Sequence, residues 1–168
     1  MANAPASAVD ALSEQMVRFT RAGHAMRVQL AARDDSGIEW AAYSLLFHLV
    51  TGGPHRPSVL AEVACVDPST VSRQVADLVR AGLVERDPDP ADGRAHRLVA
   101  TEAGHALYAA RRERRVRTFA RIVEGWDGRD VATLTDLMAR FNDSFAALWP
   151  LLLDEMASDA RTTQEATA

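Results

Sequence analysis

The chain has 168 residues, of which 48% are apolar and 25% are charged, so it is long enough for one globular core but short for two independent domains. No stretch approaches the roughly 18 consecutive apolar residues that would cross a membrane, and the N-terminus shows no signal peptide. The single cysteine excludes a disulfide framework, so we expect a protein of the reducing cytoplasm.

The net charge of −4 is distributed unevenly along the chain. Residues 54–121 carry twelve arginines and nine carboxylates and are therefore positive by three, whereas residues 1–53 and 122–168 carry −1 and −6. A positive central segment between acidic flanks is typical of a protein that binds phosphate through its middle. The overall negative charge therefore does not exclude a nucleic-acid-binding function.

Residues 1–37 are predicted to contain a helix with one apolar stripe. Apolar or small residues recur at alternating spacings of four and three, the pattern of a seam between packed helices: Leu12, Met16, Phe19, Gly23, Met26 and Leu30. Such a stripe could belong to the core of a monomer. Its place at one end of the chain, matched by a second stripe at the other end, favours a dimer interface.

Two short helices separated by a tight turn are predicted in the centre of the chain. The first covers Val59–Ala64 with Ser58 as its N-cap, and the second begins with Asp67 as N-cap and Pro68 in the first turn. Gly82 is predicted to end the second helix in a left-handed conformation. Helical spacing directs four apolar residues of the second helix inward: Val71, Val75, Leu78 and Val79.

The opposite face of the second helix is predicted to be polar and exposed, with Ser69, Thr70, Ser72, Arg73 and Gln74. Arginine and glutamine can hydrogen-bond the edges of purine bases, whereas serine and threonine usually hold phosphates. Alone, such residues are more often a solvated helix face. Their position between a short helix and a charged hairpin favours contact with DNA.

A β-hairpin is predicted from the strands Leu83–Arg86 and His96–Ala100, with a tight turn at Asp92-Gly93. Arg94 lies just beyond this turn, where an arginine can enter the narrow minor groove of DNA. Asp92 could hold the guanidinium of Arg94 or simply form the turn, and the sequence favours neither.

A long helix is predicted to open with Thr101 as N-cap and Glu102 in its first turn, and to end at Asp127-Gly128. Pro150 is predicted to kink the following helix or to end it near Trp149. That helix carries the second apolar stripe: Val131, Leu134, Met138, Phe141, Phe145, Leu148 and Leu152. Residues 158–168 are small and polar and are expected to form a flexible tail.

Four motifs give the chain a resemblance to a known family: Pro68–Arg73, Ala81–Arg86, Asp92–Arg97 and Thr101–Gly104. Through them, residues 58–104 resemble the MarR-type winged helix-turn-helix transcriptional regulators. The resemblance implies a mainly α fold with a small β-hairpin wing, in which a winged helix-turn-helix core is flanked by N- and C-terminal dimerisation helices. Two positions depart from the family pattern. Gly93 stands where the family often has a second wing arginine, and Cys65 stands at a turn position that often holds glycine.

The expected domains are an N-terminal dimerisation helix (1–37), a winged helix-turn-helix DNA-binding domain (38–104), C-terminal dimerisation helices (105–157) and the tail (158–168). We expect a homodimeric, sequence-specific repressor that binds a pseudo-palindromic operator in double-stranded DNA. The predicted DNA-binding residues are Ser58, Pro68, Ser69, Thr70, Ser72, Arg73, Gln74, Asp92, Arg94, His96 and Arg97.

The resemblance also implies a small phenolic or anionic effector that releases the protein from DNA. Cations beside aromatic rings could hold a carboxylate or phenolate, and the candidate ligand-binding residues are Arg18, Arg21, His24, Trp40, Tyr43 and His48. The alternative is that Trp40 and Tyr43 belong to the core and that Arg18 is an ordinary surface charge.

No nucleophile elbow, glycine-rich phosphate loop or paired His-x-x-x-His occurs, and the five histidines are scattered, so we expect no enzyme, metal or cofactor. Two alternatives are a winged helix that binds protein and a redox-sensing regulator that uses Cys65. Arg73, Gln74 and the arginine wing argue against the first. The expected burial of Cys65 beside the Asp67 carboxylate argues against the second.

Overall fold

A computed structural model describes residues 5–31 and 38–165, which form helices and one β-hairpin. The elements are α1 (Ala6–Ala31), α2 (Trp40–Gly52), α3 (Pro57–Ala64), α4 (Pro68–Arg80), β1 (Val84–Asp89), β2 (Asp92–Ala100), α5 (Glu102–Ile122) and α6 (Gly128–Glu165). The predicted mainly α fold with a β-hairpin wing is confirmed. Among these helices, none is long and apolar enough to cross a membrane.

The chain folds as two compact units, whose boundary in sequence lies within α5, between Glu113 and Arg114. The first unit contains the hydrophobic core, and α2 is central to it because this helix contacts α3, α4 and β2. The largest fully buried side chains come from α2, α3, α4 and both strands: Leu45, Leu46, Leu60, Val71, Leu78, Val84 and Leu98. The core therefore holds α4 and the hairpin in one rigid arrangement.

The end of α4 has the left-handed glycine that the sequence predicts. Gly82 has φ +69°, and its N–H donates to the carbonyl oxygen of Val79 at 3.0 Å. The N–H of Leu83 reaches back to the carbonyl oxygen of Leu78 at 2.9 Å. This pair of bonds satisfies the last carbonyls of the helix and turns the chain directly into β1.

The start of α5 is fixed against the same turn. The hydroxyl of Thr101 accepts the N–H of Gly104 at 3.1 Å and donates to the carbonyl oxygen of Gly82 at 2.7 Å. Gly104 is required here, because an added Cβ would overlap the carbonyl oxygen of Leu83. The predicted N-cap at Thr101 is confirmed, and this residue also connects α5 to the end of α4.

Ser58 and Val79 do not have the places that the sequence predicts for them. Helix α3 begins at Pro57 with Arg56 as its N-cap and has no side-chain capping bond, so Ser58 lies inside the first turn, where it cannot cap the helix. Val79 is 37% exposed rather than inward. It lies eight residues after Val71, at the edge of the buried stripe, because successive turns drift around the helix axis.

The hairpin is longer than predicted, and its turn lies at a different position. Asp89 pairs with Asp92, so the connecting residues are Pro90 and Ala91, whereas Asp92 and Gly93 belong to β2. The side chain of Asp89 closes this turn by accepting the N–H of Ala91 at 2.9 Å. A side-chain cap therefore replaces the glycine turn expected at Asp92-Gly93.

In the second unit, the predicted break between α5 and α6 is confirmed. Asp127 caps α6 by accepting the N–H of Arg129 at 2.7 Å. Helix α6 then runs through Pro150 to Glu165, so of the two effects predicted for Pro150 the end near Trp149 is wrong and the kink stays a prediction. Residues 158–165 of the predicted tail are helical. A proline removes one helix hydrogen bond but can kink a helix without ending it, and the leucine, alanine, methionine and glutamate residues around it favour helix.

Candidate nucleic-acid interface

The N-terminus of α4 is held by Asp67, as the sequence predicts. Its Oδ1 accepts the backbone N–H of Ser69 at 2.8 Å and the hydroxyl of Ser69 at 2.5 Å. These bonds, the hydroxyl one first, lower the pKa of Asp67 below its usual value, so the cap is ionised at neutral pH. The hydroxyl of Ser69 is thereby used as a donor within the protein, whereas Ser72 and Arg73 lie on the exposed face.

Gln74 does not lie on that exposed face. Its side chain is 3% exposed, and its Nε2 donates to Oε2 of Glu39, before α2, at a long 3.5 Å. The expectation that Gln74 is exposed was wrong, although the spacing carried the signal. Gln74 follows Val71 by three residues and precedes Leu78 by four, which places it on the inward stripe.

The hairpin decides between the two alternatives for Asp92. Oδ1 of Asp92 accepts the backbone N–H of Arg94 at 3.1 Å, so Asp92 shapes the backbone and does not hold the guanidinium. Arg94 is exposed, and so is His96. Arg97 lies opposite Asp87 in the register, with 3.7 Å between Nη2 and Oδ2, and its side chain is only 29% exposed.

A groove of about 600 Å³ lies between α3, α4 and the hairpin. It brings together four of the predicted site residues, Ser58, Pro68, Ser72 and His96, and adds Cys65 and Arg86 to its lining. Helix α4 lines the groove with Pro68, Val71, Ser72 and Val75, and the hairpin lines it with Arg86, His96 and Leu98. A helix and a β-ribbon that border one open groove have the arrangement needed to contact adjacent grooves of a DNA duplex.

Cys65 is exposed in this groove, so the expectation that it is buried was wrong. It ends α3 with φ 51° and ψ 45°, in the left-handed region. This conformation explains why the position suits a glycine. Within the described residues, no group of three or more His, Cys, Asp or Glu side chains could hold a metal ion.

Sequence reasoning missed an ion pair between the hairpin and the segment before α3. Nε of Arg56 lies 2.6 Å from Oδ2 of Asp89, and the two residues are 33 positions apart in the chain. No periodicity or motif marks a contact of this kind. Only the folded arrangement of the hairpin on α3 reveals it.

The candidate ligand residues on α2 divide between core and surface. Tyr43 is buried and Trp40 is 58% exposed, with their ring centroids 5.9 Å apart. The guanidinium carbon of Arg111, which the sequence candidates did not include, lies 4.4 Å from the centroid of the Tyr43 ring. Burial, followed by the nearby His55, lowers the pKa of His48 below its usual value, which disfavours the cationic ring that would attract an anion.

The candidates on α1 all lie on exposed surface: Arg18, Arg21 and His24. Nη1 of Arg18 donates to Oε1 of Gln15 at 3.0 Å, one turn earlier on the same helix. This bond agrees with the alternative in which Arg18 is an ordinary surface charge.

Comparison with known proteins identifies the helix-turn-helix module. Residues 38–96 match the model of the MarR family. The helix-turn-helix segment of the chain is therefore of the MarR type. Its relatives include an uncharacterised HTH-type transcriptional regulator, YxaD from Bacillus subtilis (strain 168), which is 29% identical over 137 residues, covering 82% of this chain and 94% of that protein.

Solved structures share this fold. RV1404 from Mycobacterium tuberculosis is 26% identical with a TM-score of 0.70, over 86% of this chain and 97% of that one. A MarR family protein from Bacillus stearothermophilus, 19% identical, shares the fold with a TM-score of 0.73 over 85% and 99% of the two chains. MarR proteins are DNA-binding transcriptional regulators and not enzymes, so the predicted class of function is confirmed.

Proposed function

We propose that this protein is a homodimeric repressor that reads a pseudo-palindromic operator and acts in the cytoplasm. The observation that carries the proposal is the shared groove, because α4 and the hairpin both contribute to its lining. In this arrangement the exposed edge of α4, with Ser72 and Arg73, enters the major groove. Arg94 on the hairpin enters the neighbouring minor groove, where a guanidinium is attracted by the strong negative potential.

Exposed apolar residues on the outer helices support the dimer. On α1, Leu12, Phe19 and Met26 have about half of their surface exposed, and the side chain of Leu30 lies outside the described residues. On α6, the exposed apolar residues cover more than one face of the helix between Phe145 and Leu153. A helix that is apolar on several faces is normally buried in a larger assembly, and a second copy supplies that cover by twofold symmetry.

A selection of bound duplexes from a random DNA library tests this function. We expect an inverted repeat whose half-site centres are about one helical turn, 10–10.5 base pairs, apart. The protein should bind it far more tightly than unrelated DNA at the same salt concentration. Enrichment of no sequence, or of a single half-site without symmetry, would contradict the proposed dimeric reader.

The proposed effector is a small aromatic anion that binds beside α2. The support is that Trp40 remains largely exposed beside Tyr43, over which Arg111 lies, because an exposed ring can stack on an aromatic ligand and a nearby cation favours an anionic one. A panel of phenolic acids should contain compounds that raise the melting temperature and weaken operator binding. Neutral analogues without the carboxylate serve as the control and should do neither.

A further inference from the structure

The segment before α3 is attached to the hairpin at two points. The backbone of His55 pairs with Leu98 of β2, with N–O distances of 2.8 and 3.2 Å. The next residue, Arg56, forms the 2.6 Å ion pair with Asp89 of β1. The first attachment fixes the base of the hairpin, and the second fixes a point next to its turn.

Asp89 lies where the regular pairing of the hairpin ends. Pro88 pairs with His96 and Asp89 pairs with Asp92, so residues 93–95 bulge from the second strand at this point. Asp89 is 7% exposed, and its two carboxylate oxygens have different partners. Oδ1 accepts the N–H of Ala91 and Oδ2 contacts Arg56. The same side chain therefore shapes the turn and fastens it to α3.

Arg94 is the central residue of this bulge. Within the described residues its side chain makes no hydrogen bond or ion pair, and its backbone N–H is held by Asp92. The point from which its side chain extends is therefore set by the backbone of the hairpin tip. Any residue that fixes the tip relative to α3 and α4 also fixes where Arg94 meets DNA.

We propose that Arg56 and Asp89 are positioning residues that aim Arg94 at the minor groove while α4 lies in the major groove. The inference rests on the proposed role of Arg94. Arg56 holds the pKa of the Asp89 carboxyl below its usual value, so the pair is charged at neutral pH. Loss of Arg56 would leave the buried Asp89 carboxylate without its cation. Loss of either residue would remove the bond that holds the tip of the hairpin in one direction.

The test compares Arg56→Gln and Asp89→Asn with wild type, on an operator with A·T-rich flanks and on the same operator with G·C-rich flanks. The asparagine keeps an oxygen for the N–H of Ala91 but removes the charge. We expect both variants to bind the A·T-flanked operator about tenfold more weakly, the scale of one good groove contact, with a much smaller loss on G·C-rich flanks. Arg129→Gln removes an exposed arginine from α6 and should bind both operators as wild type does.

Double variants with Arg94→Ala separate positioning from direct contact. If Arg56 acts through Arg94, Arg56→Gln should weaken binding no further once Arg94 is removed. Additive losses in the double variant would overturn the inference. A loss of affinity in Arg56→Gln without a loss in Asp89→Asn would also overturn it. In that case Arg56 itself contacts phosphate, since Asp89 is buried. If Asp89→Asn loses its helical circular dichroism signal, that variant is unfolded. The affinities of Arg56→Gln with and without Arg94→Ala then decide the test.

Two further outcomes distinguish this inference from the proposed function. If Arg94→Ala binds A·T-flanked operator as wild type does, the minor-groove role of Arg94 fails and the inference fails with it. If Arg94→Ala weakens binding while Arg56→Gln binds normally, the proposed function stands and the positioning role is wrong.

Discussion

Cys65 is the only described residue other than glycine with a positive φ. In this region the Cβ of an L-residue crowds the backbone at a cost of roughly 1–2 kcal/mol, which glycine avoids. The conformation is needed, because the N–H of Cys65 closes α3 on the carbonyl oxygen of Glu62 at 3.1 Å before the chain turns into α4. We expect Cys65→Gly to raise the free energy of unfolding by about 0.5–1 kcal/mol in urea denaturation.

The matched control is Cys65→Ala, which removes the thiol but keeps the Cβ. It should unfold at the same urea concentration as wild type, since the strain lies in the backbone. Equal stabilisation by alanine and glycine would mean that the side chain, and not the conformation, is unfavourable. The alanine variant also tests the redox alternative, because a loss of DNA binding on mild peroxide treatment in wild type alone would identify Cys65 as a sensor.

Two neighbouring residues of helix α4 have opposite roles. Arg73 is exposed and Gln74 is buried beside Glu39. We expect Arg73→Ala to weaken operator binding by about 1–3 kcal/mol and to relax the base preference at one position of each half-site. Gln74→Leu should leave operator affinity unchanged. Gel-shift titrations of both variants check this, and a loss in Gln74→Leu equal to that in Arg73→Ala would contradict the orientation of the helix.

The cap, most of the buried face and the end of α4 are features that the sequence predicts correctly. The cap at Asp67, the buried residues Val71, Val75 and Leu78 and the left-handed Gly82 all follow from local rules, because each depends on neighbours within about one or two turns. The same kind of local rule misplaces the hairpin turn. Asp92-Gly93 is a strong local turn signal, but the turn lies at Pro90-Ala91. The Arg56–Asp89 pair depends on two segments far apart in sequence, so only packing reveals it.

For the whole molecule, charge and exposed apolar surface are distributed unevenly between the central segment and the C-terminal helix. The positive segment 54–121 contains the groove between α4 and the hairpin, whereas 122–168 is acidic and would be repelled by phosphate. In α6 the rings of Phe141, Phe145 and Trp149 form a stacked row, with centroid separations of 6.3 and 5.1 Å. Such a row is suited to contact with another protein surface and not to contact with DNA.

We therefore expect Phe141→Asp/Phe145→Asp to give a monomer or an insoluble chain, because each carboxylate would enter the desolvated dimer interface. The control is Ala132→Asp/Ala139→Asp, which adds the same charge on the opposite side of α6, before the apolar stretch 145–153, and should remain a dimer. Light scattering at micromolar concentration measures the mass of each. A monomeric wild type would overturn the dimer, and a dimeric phenylalanine variant would move the interface away from this face of α6. Because a dimer holds both half-sites at once, the monomeric variant should also lose most of its operator affinity while keeping weak binding to non-specific DNA.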